Sequence, residues 1–202
     1  MAEDSLIYIT GTPGSGKTAV CDELKRRGFN AYDTDNDGIA FFYDNVTGEA
    51  IRHHVPASDR SAEWRARHAW KASRETVERL MSRAGGEITF LCGVTANDVD
   101  ELWDLFSTVF ALVVSDERVL RERIANRAED GYGKNPHELK SLLEWQRTAA
   151  AEYRELDAIL VDAAQPLEQV VDAILARATG PAGRTLRPED HGSFAPKPEF
   201  RA

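Results

Sequence analysis

Cysteine is nearly absent from the 202-residue chain, which has only Cys21 and Cys92. Two thiols cannot build the framework of a disulfide-stapled secreted domain, and they lack metal-ligand spacing, so a reduced, cytoplasmic setting is expected. Cys92 lies in an apolar run and reads as a buried structural thiol. No hydrophobic run approaches the roughly 20 residues that cross a bilayer. The apolar stretch in MAEDSLIYIT follows an acidic start, is too short for a secretory signal, and reads as a first strand. Positive charge is also in deficit: 25 Lys and Arg stand against 34 Asp and Glu, a net charge of −9. A surface of that sign repels polyanions, which argues against nucleic acid or anionic membrane as partners. What remains, 42% hydrophobic and 29% charged, suits an ordinary globular chain long enough for one domain with a sizeable core.

Short apolar runs alternate with amphipathic stretches. Strands are predicted over 5–11, 29–33, 87–93, 108–115 and 158–163, with helices over 16–27, 116–128, 135–156 and about 165–178. Residues 39–60 show no clear period and read as loop or short helices. Over 61–83 the apolar positions recur at three and four, which predicts a single helix, and a short helix is expected over 97–106. Asn135-Pro136 is a good helix start, since asparagine caps free N–H groups and proline loses nothing at the first helical position. Alternating strands and helices imply a parallel sheet, whose ligands bind at the carboxyl ends of the strands.

After the first strand comes GTPGSGKT, residues 11–18, matching G-x-x-x-x-G-K-[ST] in full. Its glycines let successive N–H groups curl toward phosphate oxygens, and the following helix adds the positive end of its dipole. Gly11, Thr12, Pro13, Gly14, Ser15, Gly16, Lys17, Thr18 and Ala19 are therefore predicted to bind ATP. Lys17 would reach the β- and γ-phosphates, and the Thr18 hydroxyl would ligate Mg²⁺. No guanine-reading N-K-x-D is present, and the third strand ends in FLCG with no acid, so activation of a water molecule is poorly provided for.

Three further stretches carry a resemblance to the nucleoside-monophosphate-kinase and shikimate-kinase group of small P-loop kinases. ERIANR (122–127) is similar to the arginine pair at the start of the adenylate kinase lid. ILVDAAQPLEQVVDAIL (159–175) resembles the last strand, adenine loop and final helix. YDTD (32–35) resembles the acidic pair that ends the second strand of shikimate kinases. The resemblance implies an α/β, three-layer P-loop NTPase fold: a five-stranded parallel sheet with helices on both faces and a helical lid. A kinase domain would span 1–178 with its lid at about 128–137, and 179–202 would be a Pro-rich disordered tail.

The resemblance also implies roles. Arg123 would stack on adenine, Arg127 would contact the triphosphate, and the loop containing Ala164 and Pro166 would pass the base edge. Asp33 would assist Mg²⁺ through water and Asp35 would bind the acceptor hydroxyl, which makes Lys17, Asp35 and Arg127 the catalytic candidates. Arg65 and Gly93 fall on the acceptor side. Read from the residues alone, Asp33, Asp35, Asn36 and Asp37 also suit an Asx-rich turn, and Asp37 is assigned to that turn. Arg65 equally suits a solvated face beside Glu63, Glu75 and Glu78, and Trp64 and Trp70 suit either the lining of the pocket or core packing. His53 and His54 are read as loop residues, and Lys134 as a phosphate contact on lid closure.

Two departures bear on the acceptor. CGVTAND lacks the arginine that grips an acceptor phosphate in nucleoside-monophosphate kinases, and Gly93 stands alone where shikimate kinases have three glycines. The expectation is an ATP- and Mg²⁺-dependent phosphotransferase, monomer or homodimer, acting on a hydroxyl of a small metabolite, nucleoside or nucleotide. The alternative is a nucleotide-binding regulatory or slow ATPase module without such an acceptor.

Overall fold

The computed structural model describes residues 5–127, 132–134 and 136–178. Residues 128–131 of the lid expected at 128–137, the cap residue Asn135 and the tail at 179–202 lie outside the described residues. In chain order the elements are β1 (Ser5–Gly11), α1 (Lys17–Arg26), β2 (Asn30–Asp33), β3 (Ala40–Asp44), β4 (Ala50–Ile51), α2 (Ala62–Arg67), β5 (His68–Ala72), α3 (Arg74–Arg83), β6 (Ile88–Cys92), β7 (Thr108–Val113), α4 (Glu117–Ala125), α5 (Pro136–Glu155), β8 (Ile159–Asp162) and α6 (Leu167–Ala178). Among the described residues no helix is long and apolar enough to cross a membrane.

The main sheet runs β2-β6-β1-β7-β8 with every neighbouring pair parallel. Leu6, Ile7, Tyr8 and Ile9 of β1 are each at most 1% exposed. Successive strand residues point to opposite faces, so both faces of the sheet are covered, which is why parallel strands read as unbroken apolar runs. Helix α1 packs along β2 and β6 and meets α6, whereas α5 lies against β7 and β8. The five parallel strands and their helices are those expected from the sequence. Cys21 and Cys92 are both buried and unbridged, and burial pushes the Cys92 thiol well above its ordinary range, which keeps it unreactive.

Two expectations are corrected. Residues 39–60 are not only loop: β3 and β4 form a hairpin that, with β5, makes a second, antiparallel sheet in the order β4-β3-β5. Nor do residues 61–83 form one helix. Ser61 caps α2 by accepting from the Trp64 N–H, Ser73 caps α3 by accepting from the Thr76 N–H, and strand β5 lies between them. Pairing with β3 overrides the helical spacing of the sequence. The short helix expected over 97–106 is a π turn at Asp98–Leu102 followed by a 3-10 turn at Trp103–Leu105.

The hairpin turn depends on Asp44. One carboxylate oxygen accepts the N–H groups of Val46 (2.8 Å) and Thr47 (3.3 Å), and the other accepts from Arg67 at 2.8 Å. The Arg67 bond first, and the turn N–H groups after it, hold the Asp44 carboxyl at about 2. A carboxyl depressed on folding adds stability above its unfolded value of about 3.9, and that contribution is lost as pH falls through the folded value. The melting-temperature gap between wild type and Asp44→Asn is therefore expected to be constant above about pH 5 and to close between about pH 4 and 2. A gap independent of pH would contradict this role.

Candidate active site

The turn that follows β1 leads into α1 at Gly16, whose φ of 104° is one that only glycine adopts without strain. No side chain caps α1 and no acid occupies its first turn, so its N–H groups and dipole are presented to an anion. The Ser15 hydroxyl is buried and has no hydrogen-bond partner. A buried polar atom left unpaired is costly, and a phosphate oxygen would satisfy it. Lys17 Nζ donates to the carbonyls of Gly11 (2.7 Å) and Thr12 (3.1 Å), which folds the ammonium over the loop. Thr12 is pinned in turn by its hydroxyl bond to Gln146 of α5 at 2.7 Å. These features fit a nucleotide's phosphates.

Strand β2 delivers the acidic residues to the same place. Asp33 pairs in register with Cys92 at the end of β6, so its carboxylate stands beside the strand that carries no acid of its own. It is 4% exposed, and its Oδ1 accepts the N–H groups of Asp35 (2.9 Å) and Asn36 (3.1 Å), an Asx turn that ends the strand. Asp37 accepts from the Asp33 N–H and from Lys25, both at 2.7 Å. Asp35 opens toward solvent within the cleft while protein surrounds the rest of it. That crowding first, and the Asp33 charge second, raise the Asp35 carboxyl above its ordinary range, against the Thr34 hydroxyl bond and the attraction of Lys17. Among the described residues no group of three or more His, Cys, Asp or Glu side chains is placed to hold a metal by itself. Thr18 and Asp33 suit Mg²⁺ instead, which takes one or two protein oxygens and completes its shell with phosphates and water.

Both groups open on one cleft of about 970 Å³. Its lining carries six cations, Lys17, Arg52, Arg60, Arg65, Arg123 and Arg127, against two carboxylates, Asp33 and Asp35. In a chain of net charge −9 that reversal marks a site for anions. The second sheet forms the far wall: the Arg52 guanidinium lies 4.8 Å from the Phe41 ring centroid and that of Arg60 5.9 Å from Phe42.

The predicted residues fall as follows. Pro13 to Ala19, Asp33, Asp35, Arg65, Gly93, Arg123 and Arg127 line the cleft. Gly11 and Thr12 do not, and serve through the carbonyls that hold Lys17. Ala164 and Pro166 also fall outside the lining, which Ala163 and Gln165 enter in their place. Arg123 bolts that loop to the phosphate loop, donating to the carbonyls of Ala163 (2.7 Å) and Ser15 (3.1 Å). Arg127 donates to the Tyr132 carbonyl at 3.0 Å. Lys134, expected at phosphate, donates to the Ala125 carbonyl at 2.6 Å. Arg65 is engaged by Glu138 of α5 and is not on a solvated face. Of the two tryptophans weighed for the pocket, Trp70 lines the cleft and Trp64 does not. Arg52, Arg60, Phe41 and Phe42 were not identified from the sequence as site residues; they sit on the hairpin sheet or beside it.

Gly93 is required for space. A Cβ there would lie 2.0 Å from Thr34 Oγ1 and 2.4 Å from its Cγ2, and Thr34 is fully buried. Gly93→Ala is expected to cost about 1–3 kcal/mol through overpacking, read as a lowered urea midpoint with an unchanged slope.

A family model described as an AAA domain matches residues 7–144, more than half of the chain. A UPF0200 protein from Pyrobaculum aerophilum is 26% identical over 174 residues, which cover 84% of this chain and 94% of that protein. Among solved structures, a sugar kinase from Janibacter sp. HTCC2649 superposes with a TM-score of 0.50 at 20% identity, covering 94% of this chain and 99% of the other. A shikimate kinase from Acinetobacter baumannii, in complex with shikimate, gives 0.53 at 14% identity, covering 87% and 93%. At these identities the likeness establishes the fold.

Proposed function

We propose that this chain, which belongs to the AAA domain family and has the fold of P-loop small-molecule kinases, is an ATP- and Mg²⁺-dependent phosphotransferase. It moves the γ-phosphoryl group of ATP to a hydroxyl of a small acceptor that carries an acidic group. One observation carries this reading: the phosphate loop, Asp35 and a wall of arginines over aromatic rings share a single cleft. A regulatory nucleotide binder has no use for an aspartate and a wall of arginines in the same cleft as Lys17.

The residues divide the work. The loop N–H groups, Lys17 and Arg127 bind and neutralise the triphosphate, while Arg123 holds the base loop against the phosphate loop. Thr18 and Asp33 would hold Mg²⁺, which when bound offsets phosphate charge. Asp35 accepts the proton of the acceptor hydroxyl as it attacks in line. Arg52 and Arg60, which line the cleft over the Phe41 and Phe42 rings, hold the acceptor's acidic group. The reading goes with a cytoplasmic setting and with a monomer or homodimer.

The test is acceptor-dependent ADP release from Mg-ATP with matched pairs: glycerate against glycerol, gluconate against glucose, and nucleoside monophosphates against nucleosides. The acidic member of at least one pair is expected to exceed background hydrolysis, with a preference that Arg52→Gln reduces. Background rates with every acceptor would overturn the reading.

A further inference from the structure

We propose that Trp70 is a positioning residue for Asp35: its indole N–H holds one carboxylate oxygen so that the other meets the incoming hydroxyl. The inference rests on the phosphotransfer reading above and deepens it at the same site.

Trp70 Nε1 donates to Asp35 Oδ1 at 3.1 Å, and the Thr34 hydroxyl donates to the same oxygen at 2.9 Å. Neither bond uses Oδ2. Rotation about the last torsion of an aspartate is soft, so an unheld carboxylate in an open cleft samples many orientations. Two donors on one oxygen stop that rotation and leave the lone pairs of the other for a hydroxyl. When the hydroxyl oxygen bonds to the γ-phosphorus, the bond from that phosphorus to the departing ADP oxygen breaks. The hydroxyl proton passes to Oδ2.

Trp70 is itself held by a ring contact and through the backbone of its strand. Trp70 pairs in register with Phe42 across β3 and β5, and the two rings meet edge to face at 4.8 Å. Its carbonyl accepts the Ala96 N–H at 2.8 Å. Two residues on, the Asn97 amide brackets Ala72, accepting its N–H at 3.1 Å and donating to its carbonyl at 2.9 Å. Residues 93–97 follow β6, and the Gly93 N–H bonds to the Ile9 carbonyl of β1. The donor on the second sheet is thereby fixed to the sheet that carries the phosphate loop. A tryptophan needed only for packing would not require its N–H aimed at a carboxylate in the cleft.

Trp70→Phe keeps a ring against Phe42 and removes the N–H. It is expected to lower kcat about tenfold, the worth of a hydrogen bond to a charged group, with KM for Mg-ATP unchanged within about twofold. Trp70→His, which restores a ring N–H, is expected to recover part of that loss. In the free protein, the Trp70 indole ¹H–¹⁵N cross-peak is expected to move and its hydrogen exchange to quicken in Asp35→Ala. A kcat unaffected by Trp70→Phe, a KM for Mg-ATP that rises in step with the loss, or a cross-peak indifferent to Asp35→Ala would each overturn the inference. Absence of transfer to every acceptor by wild type would instead overturn the phosphotransfer reading.

Discussion

Asp35→Asn is expected to lower acceptor phosphorylation about 10²- to 10⁴-fold, the contribution of a positioned general base. KM for Mg-ATP is expected to stay within about twofold, because the loop N–H groups and Lys17 bind the phosphates without it. Asparagine matches the aspartate in shape, and its carbonyl oxygen can still accept from Trp70 and Thr34, so the fold around it is retained. What it removes is the charge and the proton-accepting oxygen. An effect on kcat with little effect on nucleotide affinity is the sign of an interaction made in the transition state. Steady-state kinetics against both substrates measures the split, and a regulatory module with no acceptor would show no such loss.

Lys17→Ala is the second large effect, with a loss of about 10³-fold or more in turnover and weakened nucleotide binding, because a charge placed at the moving phosphoryl group is removed. Lys17→Arg is not expected to rescue it. The ammonium sits within bonding distance of both the Gly11 and Thr12 carbonyls, a compact point-charge arrangement that a planar guanidinium cannot copy. Titration with a fluorescent ATP analogue reads binding and coupled ADP release reads turnover. Near-normal binding in Lys17→Ala would show that the loop does not take phosphates in the expected manner. This variant tests the nucleotide half of the site, whereas Asp35→Asn tests the acceptor half.

The two halves differed in how far they could be read from sequence. The phosphate loop is local: an unbroken apolar strand, a short turn at 12–16 and a helix lie consecutively, and so the placement of Lys17 and Thr18 was readable. Asp33 and Asp35 were readable for the same reason, as the residues directly after a strand. The second sheet was not, because β4 is two residues long and Phe41, Phe42 and Tyr43 sit half-buried in a row without alternation. Its signal was the turn chemistry of DNVTG, where Asp44 caps the turn and Gly48 takes a φ of 75°. The broken helix over 61–83 had a signal too: Ser61 and Ser73 are both N-caps, and one helix has one start. The pairing of Arg65 with Glu138 and of Trp70 with Asp35 joins residues far apart in sequence, and no local pattern announces it. The cationic character of the cleft thus emerged only with the fold, because Arg52 and Arg60 belong to a stretch without period.

The claim at the centre of this account is that the γ-phosphoryl group leaves ATP for a hydroxyl and not for water. ³¹P NMR of Mg-ATP with wild-type protein and the best acidic acceptor follows that group directly. A new phosphomonoester resonance growing in step with ADP, and nearly lost with Asp35→Asn, is the predicted result. Inorganic phosphate growing in its place, at a rate indifferent to acceptor and to Asp35→Asn, would contradict it.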